Sequence, residues 1–512
     1  MSRKFNARGY RTVALSGKDS EEKRQEAFER LAMEETDATQ EMQPLDYIFS
    51  RDILNEGVDI VEVNQVIMLR PTQSPIVFIQ QLGRGLRKAP GKEYVVILDF
   101  IGNYNNNFMI PVALSGDRSY NADVIRKYVI SGNSTIPGAS TVHFDEISKD
   151  KIFKSIDKIK GMKTLIKESY VSLKNRLGRV PLLYDFYENQ EIDPLVIIRE
   201  YKTYDAFMVA MEQDKYKNVL NEQEKLTLEY LSKTVLSGVR PDELVILSQL
   251  LHRDHIAVAD FIKEYQNTYG IEISTSRVKE AVQMLQGHFV SKEAEYQKYC
   301  QIDILENDPA GMIKRLQSYT ERLTHIPFYT QVEDIIKVGI ARYKEKYLPG
   351  IKSEDPFVLY EKYSRRDVSL LMNCGKDLSS IMYGMKRIEN DVFITYHKEE
   401  SQDEKNYVDG KPDYADAFED NLIFKWDSQI GKGLDSSYMK DVLGADRKHL
   451  FVKKSDAETS FYYMGQFDVL EARNAQKEDN RGRMQPITKV TMKMHHAVRE
   501  DLLRYLQSHI TA

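Results

Sequence analysis

The chain has 512 residues, of which 42% are hydrophobic and 29% charged, a globular composition that excludes a disordered chain and suggests about three to four domains. The net charge of -6 at pH 7 excludes a uniformly basic protein, so any nucleic-acid surface has to be local. Two cysteines, Cys300 and Cys374, exclude a disulfide framework, and neither a secretory signal nor an apolar run of membrane-spanning length is present, so we expect a cytoplasmic protein without a membrane partner.

The first section, residues 1–115, alternates helices with short apolar strands. Strands are predicted at residues 11–15, 46–50, 66–69 and 94–100, and helices at 1–10, 21–33 and 76–87. Continuous apolar strands that alternate with helices indicate a parallel sheet covered on both faces, so this section is predicted to be an α/β domain. Because it opens on a helix that leads into a strand, we expect the domain to be incomplete, with its first strand upstream of the sequence.

The remaining residues divide into two predicted sections. Residues 116–365 carry apolar side chains at three- and four-residue spacing, which predicts an all-α spacer or coupler. Residues 366–512 contain apolar runs at 391–397, 422–425, 449–453 and 461–464, which predict a small β-rich α+β domain. Within it, residues 399–427 are acidic whereas basic residues dominate 440–499. This reversal favours a one-sided basic surface, although a solvated face is the alternative.

The strongest chemical signal is the segment QQLGRGLR, residues 80–87, on a predicted helix that follows a buried strand. Arg84 and Arg87 are three residues apart, so both side chains project from one face of that helix. Two guanidinium groups on one face suit the spread charge of a transferring phosphoryl group. A pair of surface arginines in ordinary salt bridges is the alternative.

A second segment, FSRDILNEGVDI at residues 49–60, stands upstream of the first. Its glycine allows close approach of the backbone to a ligand, and Ser50 and Arg51 lie at a strand end, where α/β sheets place ligands. In this order and spacing the two segments resemble motifs V and VI of superfamily 2 helicases. The strand that ends in Ser16 and Gly17 resembles the segment that precedes motif V in those enzymes.

The resemblance implies that residues 1–115 form most of the second RecA-like domain of an ATP-dependent helicase. In such enzymes this domain donates arginines to ATP held by a first RecA-like domain. Arg87 would be the arginine finger, Arg84 would contact phosphate or the motif V carboxylate, and Gln80 would help to sense the γ-phosphate.

The resemblance also implies two binding surfaces. The nucleotide side of the cleft would be lined by Gly57, Asp59 and Gly83. The phosphate backbone of double-stranded DNA would be contacted by Ser16, Gly17, Ser50 and Arg51. Such contacts position the DNA without reading its sequence.

The sequence lacks the segment G-x-x-x-x-G-K-[ST] and an Asp-Glu pair at the end of an apolar strand. We therefore expect ATP and Mg²⁺ to be bound mainly by an upstream RecA-like domain, fused or separate. Whether this chain by itself is an enzyme is left open. No histidines cluster at metal-ligand spacing, so no metal site in the chain itself is predicted.

Further segments refine the resemblance, among them LRPTQSP at residues 69–75, DFIGNY at 99–104, YSRRDV at 363–368 and ITYHK at 394–398. Together they look like bacterial helicases that carry an uncharacterised C-terminal domain, including SauUSI-like type IV (modification-dependent) restriction enzymes. That resemblance implies an upstream phospholipase-D-like nuclease, a role in defence against foreign DNA, and recognition of cytosine-modified DNA by the C-terminal region.

The segment around the only tryptophan is the candidate for base recognition. Reading a modified base commonly means flipping it into an aromatic-lined pocket with polar groups at its edge. Trp426, Ser428 and Gln429 are the residues predicted to contact DNA there, while a core position for Trp426 is the alternative.

Two other functions remain open at the level of sequence. One is a non-catalytic DNA-binding or interaction fragment, and the other is a helicase that acts in DNA repair. The specificity determinants lie in the part of the chain with the fewest recognisable motifs, so sequence alone does not separate restriction from repair.

Overall fold

A computed structural model describes residues 1–40, 42–50, 63–69, 78–79, 92–100, 107–131, 141–157, 161–216, 219–307, 311–351, 355–397, 417–454, 458–479 and 481–507. The chain divides into two compact units, an N-terminal unit (Met1–Lys160) and a C-terminal unit (Gly161–Ala512). Across the described ranges, no helix is both long enough and apolar enough to cross a membrane.

The N-terminal unit contains two pairs of parallel strands. Its elements in chain order are α1 (Ser2–Asn6), β1 (Thr12–Leu15), α2 (Glu21–Ala32), β2 (Tyr47–Ser50), β3 (Gln65–Met68), β4 (Val96–Asp99), α3 (Met109–Ser115), α4 (Ala122–Ser131) and α5 (Glu146–Asp157). Strand β1 pairs with β2, and β3 pairs with β4, in both cases in parallel. The parallel pairing predicted from the alternation of apolar strands and helices is therefore confirmed for these two pairs.

Helix α2 covers the first strand pair. It begins where Ser20 caps it, because the Ser20 Oγ accepts a hydrogen bond from the Lys23 amide at 3.3 Å. On its inner face, the buried Ala27 packs with Leu15 of β1 and with Leu45. This packing holds the helix against the strands and fixes the loop between β1 and α2.

The first half of the C-terminal unit is mainly helical. Its helices are α6 (Met162–Leu177), α7 (Leu183–Glu188), α8 (Pro194–Tyr201), α9 (Tyr204–Glu212), α10 (Glu222–Thr234), α11 (Asp242–Leu250), α12 (Val258–Tyr269), α13 (Thr275–Gln283), α14 (Glu293–Tyr299), α15 (Gln317–Leu323) and α16 (Ile326–Arg342). A small antiparallel sheet lies among them, in the order β5 (His255–Ala257), β7 (Met312–Arg315), β6 (Leu305–Asn307).

That small sheet corrects the prediction of an all-α section over residues 116–365. Strands of three or four residues are too short to show a two-residue period, and β5 runs directly into α12, so the helical pattern of the following residues masked it. Strand β8 (Lys362–Ser364), which pairs with the large sheet described next, was missed for the same reason.

The second half of the C-terminal unit is built on an eight-stranded sheet, which agrees with the β-rich section predicted there. Its elements are α17 (Arg365–Leu371), β9 (Met385–Ile388), β10 (Asp391–His397), β11 (Ala417–Phe418), β12 (Ile423–Asp427), α18 (Ser437–Leu443), β13 (Arg447–Lys453), β14 (Ser460–Glu478), β15 (Met484–Met494) and α19 (Glu500–Gln507). The strands follow the order β11-β12-β15-β14-β13-β10-β9, and β8 pairs with β14. The four predicted strands are all present, whereas β9, β11 and β15 were not predicted.

The helical half and the β-rich half of the C-terminal unit share one core. Tyr343 and Tyr347, which follow α16, are buried in the same cluster as Phe357, Tyr363 and Phe451 from the β-rich half. This buried cluster therefore has members on both sides of residue 365.

A buried guanidinium group ties the same two halves together. Arg240, with a side chain 3% exposed, donates to the Leu370 carbonyl at 2.9 Å and to the Asn373 side-chain oxygen at 2.6 Å. Its other nitrogens bond to the buried carboxylate of Glu243, and its Nε lies 3.6 Å from Asp242. The charge of Arg240 is thus balanced by the helical half while two of its hydrogen bonds go to the β-rich half.

Replacing Arg240 by alanine is expected to lower the free energy of unfolding of the C-terminal unit by about 3–5 kcal/mol, because buried carboxylates would lose their counter-charge. Urea unfolding followed by circular dichroism measures this change. The matched control is Arg253→Ala, at an arginine 55% exposed and paired with Glu264, which should change the free energy by less than about 0.5 kcal/mol. Equal effects of the two substitutions would contradict the role given to Arg240.

The stability of the C-terminal unit is also expected to depend on pH through Glu280 of α13. Burial raises the pKa of Glu280 from 4.5 to about 7, and its Oε2 has no hydrogen-bond partner within the described part of the chain. The folded pKa is raised, so the contribution of Glu280 to stability is present below pH 4.5 and is lost as the pH rises to 7. Glu280→Gln should therefore raise the thermal unfolding temperature at pH 8 and change it little at pH 4.5. The same substitution at the exposed Glu293 should have no effect at either pH.

Candidate functional site

The N-terminal unit brings together three of the residues predicted to contact DNA. Ser16 and Gly17 follow β1 directly, and Ser50 ends β2. Because the two strands are parallel with Leu15 opposite Ser50, their carboxyl ends lie at the same edge. Ser16, Gly17 and Ser50 are all exposed there. The edge therefore presents hydroxyl and peptide groups of the kind that contact a phosphate backbone without reading sequence.

A carboxylate organises the loop that carries Ser16 and Gly17. The amide and the hydroxyl of Ser16 donate to the Asp19 Oδ2 at 2.7 and 2.9 Å, and Lys23 binds the other oxygen. The hydrogen bond from Lys23, followed by those from Ser16, lowers the pKa of Asp19 to about 2. Arg24 donates to the Gly17 carbonyl at 3.0 Å. The loop conformation is thus fixed by internal bonds, and the Ser16 hydroxyl is engaged in one of them.

The other predicted residues of the helicase segments lie outside the described residues. These are Arg51, Gly57, Asp59, Gln80, Gly83, Arg84 and Arg87. Their nucleotide- and DNA-contacting roles remain predictions. In the parts of the chain that the structure does describe, no group of three or more His, Cys, Asp or Glu side chains is arranged to hold a metal ion.

The segment predicted to read a base occupies the end of β12, and its three residues differ in exposure. Trp426 is 4% exposed and stacks on Tyr438, with ring centroids 6.3 Å apart. Ser428 is fully buried, while Gln429 is exposed and its Nε2 donates to the Tyr383 carbonyl at 3.4 Å. In this conformation only Gln429 of the three faces solvent, and their contact with DNA stays a prediction.

The hydroxyl of Ser428 holds a loop against β15. It accepts a hydrogen bond from the Thr488 amide at 2.8 Å and donates to the Lys432 carbonyl at 2.7 Å, and the Thr488 hydroxyl donates to the same carbonyl at 3.0 Å. These bonds attach residues 428–432 to the sheet. The position of Gln429 therefore depends on Ser428.

The substitution Ser428→Ala is expected to lower the free energy of unfolding by about 1–3 kcal/mol, because the buried Thr488 amide would lose its acceptor. The exposed Gln429 offers the matched control, and Gln429→Ala should leave stability unchanged within about 0.5 kcal/mol. Urea unfolding of both variants measures the difference. If Ser428→Ala leaves the free energy of unfolding unchanged, the loop is held by other contacts.

A second polar cluster lies inside the β-rich half. His449 is 1% exposed and bonds to Asp391 at 2.7 Å and to the Tyr463 hydroxyl at 3.0 Å, and Tyr463 in turn donates to Asp355. Burial raises the pKa of Asp391, but the hydrogen bonds from His449 and Arg447 outweigh that effect and hold it below its ordinary value. The cluster is buried at His449 and joins strands β10, β13 and β14 to Asp355.

Strands β14 and β15 carry several residues of the predicted basic stretch, with acidic residues among them: Arg473 ion-pairs with Glu471 at 4.0 Å, and a one-sided basic surface stays a prediction. Arg473 lies opposite Lys489, and Lys489 lies opposite the buried Asp427 of β12. The Asp427 carboxylate is 3.9 Å from the Lys489 Nζ and 3.8 Å from the Lys477 Nζ. The sequence showed the excess of basic residues but not the hairpin that carries them, because the outer part of β14 is polar and lacks the apolar alternation of a buried strand.

Comparison with known proteins shows three matching family models. The helicase conserved C-terminal domain matches residues 1–89, and two domains of unknown function, DUF8090 and DUF3427, match residues 166–347 and 357–506. The putative ATP-dependent helicase IRC3 of Saccharomyces cerevisiae is 37% identical over 67 residues, which is 13% of this chain and 10% of the yeast protein. The match thus spans a tenth of the length of that relative. The chain contains a helicase-type C-terminal portion.

Proposed function

We propose that this chain supplies the second RecA-like domain and a DNA-contacting C-terminal unit of an ATP-dependent DNA helicase or translocase. The observation that carries the proposal is the helicase match over residues 1–89, within which two parallel strands bring Ser16 and Ser50 to one exposed edge. Both the sequence segments and the strand arrangement support a role in which this edge contacts a DNA backbone together with Gly17 and Arg51.

The catalytic contribution of the chain is the donation of arginines. ATP with Mg²⁺, held mainly by an upstream RecA-like domain, supplies the phosphoryl group that is transferred to water. Arg87 and Arg84 neutralise the charge that develops on that group, and Gln80 reports the presence of the γ-phosphate. Gly57, Asp59 and Gly83 face the nucleotide in this scheme. Repeated closing and opening of the two domains then moves the complex along double-stranded DNA.

We further propose that this helicase belongs to a modification-dependent restriction enzyme. The support is the resemblance of the downstream segments, together with the DUF3427 match at residues 357–506, the region in which the resemblance places recognition of modified cytosine. A phospholipase-D-like nuclease, fused or separate, would supply the cleavage. In this scheme the exposed Gln429 beside Trp426 and Ser428 faces the DNA.

The test is ATP hydrolysis by the complete enzyme, in which this chain is joined to a P-loop RecA-like domain. Arg87→Ala should reduce DNA-stimulated turnover by on the order of a thousandfold, because a transition-state charge would lose its partner. Arg8→Ala, at an exposed arginine of the same unit, is the matched control and should leave turnover unchanged. An Arg87→Ala enzyme with normal turnover would refute the proposed function.

A further inference from the structure

The β14–β15 hairpin extends beyond its neighbouring strands. The last residue of β12 paired with β15 is Asp427, opposite Lys489, and on the other side β13 pairs with β14 only as far as Gln466. The two strands of the hairpin continue for five further residue pairs, from Asn474 opposite Thr488 to Glu478 opposite Met484. At a rise of about 3.3 Å per residue, this two-stranded ribbon (residues 474–488) is roughly 17 Å long before its turn.

Other residues support the ribbon mainly at its base, and farther out the Lys477 Nζ lies 3.8 Å from Asp427 of β12. The loop that follows β12 bonds to it through the Leu434 amide and Asn474 and through the Gly431 amide and the Pro486 carbonyl, at 2.8 and 2.9 Å. Beyond Lys489 on β15 and Gln466 on β14, no further strand of the described residues pairs with the hairpin. The outer pairs and the turn therefore project from the sheet.

A single carboxylate shapes the turn at the tip. The Asp479 Oδ1 accepts hydrogen bonds from the amides of Arg481 and Arg483 at 2.8 and 3.0 Å, and its Oδ2 accepts from the Arg483 Nε at 3.1 Å and the Gln485 Nε2 at 3.3 Å. The hydrogen bond from the Arg483 amide is the main cause that lowers the pKa of Asp479 to about 2. The carboxylate is thus charged at neutral pH, and the turn is formed before any ligand binds.

The tip presents two guanidinium groups to solvent. The Arg483 side chain is 61% exposed although Asp479 orients it, and Arg481 is exposed with no ion pair to any residue that the structure describes. Closer to the sheet, Arg473 lies opposite Lys489, and these two basic side chains are paired with Glu471 and Asp427 at 4.0 and 3.9 Å. Glu478 and Asp479 also lie at the tip, but the Asp479 carboxylate is bonded to the turn, so the exposed Arg481 and Arg483 are the groups complementary to a polyanion.

We propose that the tip of the ribbon enters the major groove of duplex DNA and that Arg481 and Arg483 bind phosphates and guanine edges there. This inference rests on the proposed function and names the element of the C-terminal unit that holds the DNA. The major groove of B-form DNA is about 12 Å wide and admits a two-stranded β-ribbon, whereas the major groove of A-form RNA is too narrow for side chains to read. Arginine is the side chain best suited to both phosphate and guanine.

The experiment measures binding of the full chain to a labelled DNA duplex by fluorescence anisotropy over a series of salt concentrations. The variant Arg481→Ala/Arg483→Ala should bind at least about tenfold more weakly, and the slope of log K against log salt should become shallower by about 1.8. The variant Arg199→Ala/Arg253→Ala removes the same charge from two arginines that are each 55% exposed, and it should keep the slope of the unchanged chain. An RNA duplex of the same sequence should bind more weakly than the DNA.

The binding results distinguish a failure of the ribbon inference from a failure of the proposed DNA-contacting role. If the unchanged chain binds duplex DNA but the ribbon variant keeps its full salt slope, or if RNA and DNA duplexes bind equally, the ribbon inference fails while DNA contact elsewhere in the chain stands. If the unchanged chain does not bind duplex DNA at all, both the inference and the DNA-contacting role fail. Thermal unfolding of both variants is expected to match that of the unchanged chain, because the substituted side chains are exposed.

Discussion

The C-terminal unit depends on one buried charge, the guanidinium of Arg240. A buried charge is costly unless charged and polar partners surround it, and here those partners come from both halves of the unit. Glu243 and Asp242 stand beside it in the helical half, while Leu370 and Asn373 accept its hydrogen bonds from the β-rich half. Neither half alone provides the full set, so the helices and the large sheet form a single cooperative structure.

That shared structure determines where the exposed parts of the sheet can be. Strand β14 begins in the common core, where Tyr463 is fully buried and bonded to His449 and Asp355, and the same strand continues outward to Glu478. A long strand anchored at one end by packing and by a buried polar chain gives its other end a defined position. The position of the ribbon is therefore set by core residues far from its tip.

Sequence patterns predicted the local features well and the long-range ones poorly. The parallel pairing of β1 with β2 follows from their apolar strands and intervening helix, and the four predicted strands of the β-rich half recur there. The burial of Trp426 depends on Tyr438, and the bond from Arg240 to Leu370 joins residues 130 positions apart, so no local period contains either. The same limit applies to β14, whose outer half is polar and is a strand only because β15 pairs with it.

The shared core also bears on how such proteins can be reassembled in evolution or in the laboratory. DUF8090 and DUF3427 are recognised as separate families, and the chain between their matches, residues 348–356, looks like a convenient point for recombination. Recombination at that point would join the helical half of one protein to the β-rich half of another. Tyr343 and Arg240 would then face a different sheet, and Phe357 and Tyr363 would lose the helical residues they pack against. The regions that match the two families should therefore be inherited and transplanted together. A helical half and a β-rich half from relatives that differ in this shared core should not fold together.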